Sequence, residues 1–163
     1  MTFCSAWLIP GVAAFAISYL CLKTTNMGIN LWLPTYASDE LHFAPSEKTL
    51  ITTLYEVGTI SGCVMLGVAS DLLFGRRTPV IVVAFLLATV GHAMLIFFGE
   101  NNKIELFIVI FFIGAFVGGA SNMITTTAAT DLGKQDILKN NEKALGTVSG
   151  IIDGTGSLGA ALG

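Results

Sequence analysis

Five stretches of this chain, at about residues 8–36, 48–70, 79–99, 105–129 and 143–163, are apolar and nearly free of charge over unusual lengths. Each is near or above the roughly 20 residues that a helix needs to cross the hydrocarbon core of a bilayer. Inside that core every backbone polar group must be paired within the protein, so runs of this kind are expected to form spanning helices. The composition agrees. Hydrophobic residues make up 53% of the chain, charged residues 12%, and the mean hydropathy is +0.77, outside the range of soluble domains. The expected fold is therefore all-α, a polytopic membrane protein of about five transmembrane helices. The first run has no basic segment before it and no small-residue cleavage site before Lys23, so it reads as a true span rather than a removable leader.

Short loops set the orientation, because Lys and Arg gather on the cytoplasmic side. The loops after the second and fourth runs carry Arg76, Arg77, Lys134, Lys139 and Lys143. The opposite set carries only Lys48 and Lys103, among Asp39, Glu40, Glu47, Glu100 and Glu105. The loops after spans two and four are thus expected in the cytoplasm. The net charge of −3 is small and dispersed, and no dense basic cluster is present, which argues against nucleic acid or an anionic lipid surface as a partner.

Three further features point away from common chemistries. Cys4, Cys21 and Cys63 are odd in number, lie in apolar surroundings and lack the paired spacing of a zinc site, while His42 and His92 stand alone, so neither metal nor cofactor is expected. Gly154, Gly156 and Gly159 satisfy a Gly-x-Gly-x-x-Gly pattern, but no strand precedes them and no acidic residue follows at nucleotide-binding distance. No nucleophile and base are paired in or beside the membrane, and the chain is not expected to be an enzyme.

Glycines recur at a spacing of four: Gly58 with Gly62, Gly114 with Gly118, and Gly146 with Gly150 and Gly154. This spacing places small residues on one helix face and predicts close approach of neighbouring backbones. Gly58-Thr59-Ile60-Ser61-Gly62 in the second run is echoed by Gly146-Thr147-Val148-Ser149-Gly150 in the fifth. Like follows like at an interval of three helices, the arrangement of repeats in many secondary transporters.

The first run is uncharged from Pro10 to Tyr36 apart from Lys23. An ionisable side chain at the bilayer centre costs roughly 2.5 to 3.5 kcal/mol on insertion scales, so it is expected to face a cavity, a partner or an anionic ligand. Asn26 and Asn30 follow at helical spacing and are placed to donate hydrogen bonds either to such a ligand or to a neighbouring helix. Glu56 and Asp153 are the acidic residues inside spans, beside the repeated glycine segments, and Asp153 or Glu56 is a candidate charge partner for Lys23. Asn122, near Gly118 and Gly119, is a further cavity candidate.

After the second run the chain reads Gly67-Val68-Ala69-Ser70-Asp71-Leu72-Leu73-Phe74-Gly75-Arg76-Arg77. This resembles the loop signature of the major facilitator superfamily, although no basic residue follows Asp71 and one extra residue precedes Gly75. The resemblance implies a gating role for Gly67, Asp71, Gly75, Arg76 and Arg77, with plain positive-inside anchoring by Arg76 and Arg77 as the alternative. Further blocks are Cys21-Leu22-Lys23, Trp32-Leu33-Pro34-Thr35-Tyr36, Tyr55-Glu56-Val57-Gly58, Gly118-Gly119-Ala120-Ser121-Asn122, Asp131-Leu132-Gly133 and Ile152-Asp153-Gly154-Thr155-Gly156-Ser157. Together they resemble the organophosphate:phosphate antiporter family, in particular its eukaryotic sugar-phosphate exchangers.

That resemblance implies an incomplete C-terminal half of a twelve-helix transporter, missing its last helix and its N-terminal half and inactive alone. The implied activity is exchange of an organic phosphate, such as glucose 6-phosphate or glycerol 3-phosphate, for inorganic phosphate by alternating access. Lys23 would bind substrate phosphate, with Asn26, Asn30, Glu56 and Asn122 as further binding candidates. A phosphate ester carries about −1.5 to −2 charge and suits a cationic donor in a dry pocket. The endoplasmic reticulum or the plasma membrane is the implied location. Transport of another organic anion and a non-transporting bundle are the two other readings.

Overall fold

In a computed structural model, residues 6–72, 77–98, 102–132 and 142–163 are described, and they are helical with short turns. We label the helices α1 (Val12–Asp39), α2 (Pro45–Leu72), α3 (Arg77–Phe98), α4 (Lys103–Ile113), α5 (Gly119–Asp131) and α6 (Glu142–Leu162). A π-helical segment, Gly114–Gly118, joins α4 to α5, so these form one rod. The five predicted runs therefore appear as five rods. Four of them are long and apolar enough to cross a membrane: Val12–Asp39, Pro45–Leu72, Arg77–Phe97 and Lys103–Thr125. The fifth, α6, spans 21 residues but is diluted by Gly146, Gly150, Gly154, Gly156, Gly159 and Asp153, and it falls short on apolarity. At 28 residues, α1 and α2 rise about 42 Å, longer than the roughly 30 Å of hydrocarbon, and so reach into the headgroups or tilt.

Local chemistry explains the ends. Pro45 opens α2 at a position where its missing N–H is not needed, and Glu47 Oε2 accepts the Ala44 backbone N–H at 3.0 Å. Within α1, Pro34 removes the amide that would close onto the Asn30 carbonyl one turn earlier. Gly11, at φ 95°, supplies the left-handed turn that starts α1.

Lipid does not drive helices together as water does, so close backbone approach must hold the bundle. The first such seam joins α2 to the α4–α5 rod at the π segment. A Cβ on Gly58 would strike the Phe111 carbonyl oxygen, one on Gly62 the Ala115 carbonyl, one on Gly114 the Tyr55 carbonyl and one on Gly118 the Thr59 side chain. The Thr59 hydroxyl donates to the Gly114 carbonyl at 3.3 Å.

The second seam joins α1 to α6. Gly156 sits on the Tyr19 ring, Gly159 on the Leu20 carbonyl and Gly163 on the Thr24 carbonyl. Thr24 Oγ1 lies 2.9 Å from both the Leu20 and the Gly159 carbonyl oxygens, which share its one proton. This corrects the expectation for the fifth run. Added Cβ atoms at Gly146, Gly150 and Gly154 would meet nothing within 4 Å among the described residues. Residues two apart lie about 200° apart around a helix, so with Gly156 turned to α1, Gly154 faces away. The two echoed pentapeptides consequently pack differently, Gly58 and Gly62 inside a seam and Gly146 and Gly150 outside one.

The outer faces are apolar, with Leu31, Trp32, Ile60, Val64, Val68, Leu86, Ile96 and Phe97 exposed, as suits lipid contact.

Candidate functional site

Lys23 lies on α1 in a half-buried position, its Nζ 5.6 Å from the centroid of the Tyr19 ring one turn earlier. Tyr19 is itself only 4% exposed and is held from behind by Gly156 of α6. A cation over an aromatic face gains about 0.5 to 2 kcal/mol, less than the cost of placing it at mid-membrane. Neither Glu56 nor Asp153 lies within ion-pair distance of Lys23. The ammonium thus keeps most of its capacity for an anion.

One turn further along, Asn26 Oδ1 accepts two hydrogen bonds, from the Tyr55 hydroxyl at 3.1 Å and from Asn30 Nδ2 at 3.2 Å. Lys23, Asn26 and Asn30 share a face of α1 by their spacing of three and four. The structure therefore brings three of the expected residues into one cluster and adds Tyr55 of α2 to it. Such a cluster can hold an anion through one cation and amide donors in a low-dielectric setting.

The other expected residues lie elsewhere. Glu56 is exposed on α2, about 100° around the helix from buried Tyr55. Asp153 is exposed on α6 and lines a cleft of about 380 Å³ with Thr125, Ser149, Gly150 and Ile152. Asn122 donates to Cys63 Sγ at 3.2 Å and to the Gly118 carbonyl at 3.1 Å. It joins a second cleft, of about 280 Å³, with Cys63, Gly67, Ser70, Asp71, Arg77 and Met123. The loop signature and Asn122 are thus neighbours, while Gly75 and Arg76 lie outside the described residues. A Cβ on Gly67 would meet nothing within 4 Å among the described residues, so their packing does not demand a glycine there.

Sequence reasoning missed Tyr55, Tyr19 and Thr24 as parts of the site and its support. A signal for Tyr55 was present: it precedes Gly58 and Gly62 by three and seven residues, on their buried face, where a phenol hydroxyl needs a partner. Which group would answer it, Asn26 on another helix, had no local signature.

Comparison with known proteins agrees with this architecture. The Major Facilitator Superfamily matches over residues 15–163. Sugar phosphate exchanger 3 of Mus musculus is 38% identical over 166 residues, which cover 100% of this chain and 33% of that protein. Its Homo sapiens counterpart is 37% identical over 163 residues, covering 100% and 33%. Glucose-6-phosphate exchanger SLC37A2 of Bos taurus is 39% identical over 167 residues, again covering 100% and 33%. The chain spans about a third of the length of these relatives. No solved structure matches. With the match running through every rod from α1 to α6, the chain belongs to the major facilitator superfamily.

Proposed function

We propose that this chain is part of the C-terminal half of a carrier that moves a sugar phosphate across a membrane in exchange for inorganic phosphate. The observation that carries the reading is Lys23: a half-buried ammonium on a spanning helix, without a carboxylate partner among the described residues, beside the Asn26–Asn30 amides. The similarity to proteins named as sugar phosphate exchangers supplies the substrate class. In this reading Lys23 meets the phosphate, and a second cation from the other half of the carrier completes the charge of a dianion. Substrate and inorganic phosphate compete for the same ammonium, which makes exchange obligatory. Alternating access comes from rocking of the two halves, with Asp71 and Arg77 on a shared cleft controlling the cytoplasmic end. The loops after α2 and α5 are cytoplasmic, and the endoplasmic reticulum or plasma membrane is the host.

The test is uptake of radiolabelled phosphate into phosphate-loaded liposomes containing the full-length protein, with and without external glucose 6-phosphate, beside Lys23→Gln. Removing a charge partner from a buried site costs about 2 to 5 kcal/mol, so apparent phosphate affinity is expected to fall at least roughly 30-fold. Uptake that glucose 6-phosphate does not compete, while other organic anions do, would transfer the carrier to another anion class. Undiminished affinity in the variant would remove Lys23 from the site.

A further inference from the structure

An asparagine amide has one end that accepts hydrogen bonds and one that donates, and only the donor end can bind a phosphate oxygen. Which end faces a ligand is set by what holds the other. For Asn26 the acceptor end is held twice, by Asn30 Nδ2 on the same helix and by the Tyr55 hydroxyl on α2. The two holders differ in authority. Asn30 is another half-buried amide, able to turn over and offer its own oxygen instead. Tyr55 is 0% exposed, its backbone carbonyl is pressed against Gly114 of the π segment, and its hydroxyl reaches Asn26 from a ring that has no room to move. With Oδ1 doubly occupied, the Nδ2 hydrogens of half-buried Asn26 bond nothing among the described residues. They lie on the face of α1 that carries Lys23 one turn earlier.

We propose that Tyr55 is a positioning residue that locks the Asn26 amide so that its Nδ2 end serves, with Lys23, as a donor to a bound phosphate group. The inference rests on the exchange reading above and adds to that site a donor and the residue that orients it. The phenol does not touch the ligand. Its effect is exerted through Asn26, so the two residues act as one unit rather than as two independent contributions.

The experiment measures KM and maximal rate for phosphate–phosphate exchange by the full-length protein in liposomes. Tyr55→Phe keeps the ring and removes the hydroxyl, and it is expected to raise KM about tenfold with less change in maximal rate, the loss of one oriented donor. Asn26→Asp keeps an acceptor for both Tyr55 and Asn30 but has no donor end, and is expected to raise KM further. Adding Tyr55→Phe to Asn26→Ala is expected to leave KM where Asn26→Ala alone puts it. Additive increases in that double variant would show that Tyr55 acts apart from Asn26 and would overturn the proposal. So would an unchanged KM in either Tyr55→Phe or Asn26→Asp while wild type exchanges normally. Wild-type liposomes that exchange no phosphate would instead overturn the exchange reading on which the proposal stands.

Discussion

Gly62→Ala is expected to be among the most damaging one-carbon changes in this bundle. A methyl group there would sit 2.5 Å from the Ala115 carbonyl carbon and 2.6 Å from its Cα, and closer still to the carbonyl oxygen. Those atoms are backbone and cannot rotate aside. Ordinary contact begins near 3.4 Å, so α2 and the π segment would have to part by about 0.9 Å or more, in the range where overpacking costs typically 1–3 kcal/mol. Against this stands the gain of roughly 0.5–1 kcal/mol that alanine brings over glycine inside a helix. Parting also weakens the Thr59–Gly114 hydrogen bond and the neighbouring contacts at Gly58 and Gly118. The net expectation is a loss of about 1–2 kcal/mol. Gly154→Ala is the internal control, because its methyl would meet nothing within 4 Å and should stabilise the helix slightly. Thermal unfolding of the detergent-solubilised full-length protein, followed for both variants, checks the pair. Equal stability of the two, or a greater loss in Gly154→Ala, would refute the assignment of the α2–π seam as a backbone contact.

Three further outcomes are expected. Thr24→Val, nearly the same in shape, removes the hydroxyl that joins α1 to the Gly159 carbonyl, and should cost about 0.6 to 1.7 kcal/mol in the same unfolding assay. Lys103→Met breaks the 2.6 Å pair with Glu47, whose side chains are 56% and 30% exposed, and should shift stability by less than about 1 kcal/mol, falling further in high salt. Gly67→Ala should stabilise the helix slightly, as at Gly154, since its methyl is unopposed, yet slow phosphate exchange in liposomes if the Asp71–Arg77 cleft closes during transport; normal exchange would separate that cleft from gating.

Much of the architecture was readable from the chain. The predicted run 48–70 became Pro45–Leu72, 79–99 became Arg77–Phe98, and 143–163 became Glu142–Leu162. The first two are apolar enough to cross a membrane, since partition into hydrocarbon is a sum over neighbouring residues, while Glu142–Leu162 is helical but falls short of that apolarity. The π segment was not readable, since Gly114–Gly118 reads in the chain as an uninterrupted part of the fourth apolar run. At the candidate site, Lys23 announced itself by charge alone. The alternatives for Asn26 and Asn30, ligand or neighbouring helix, met in the structure as a hydrogen bond to Tyr55 that still leaves donors free.

The sequence by itself determined the membrane setting, the number of rods, the superfamily and the position of a lone lysine within a spanning run, because hydropathy, spacing and charge are local quantities. Only the tertiary structure decided which glycines touch, that Gly156, Gly159 and Gly163 rather than Gly146, Gly150 and Gly154 seat α6, and that Tyr55 rather than Glu56 reaches α1. Those outcomes depend on the rotation of each helix about its axis. That rotation is set by all the faces packing at once, and two residues along a helix are enough to turn a contact into an exposed surface.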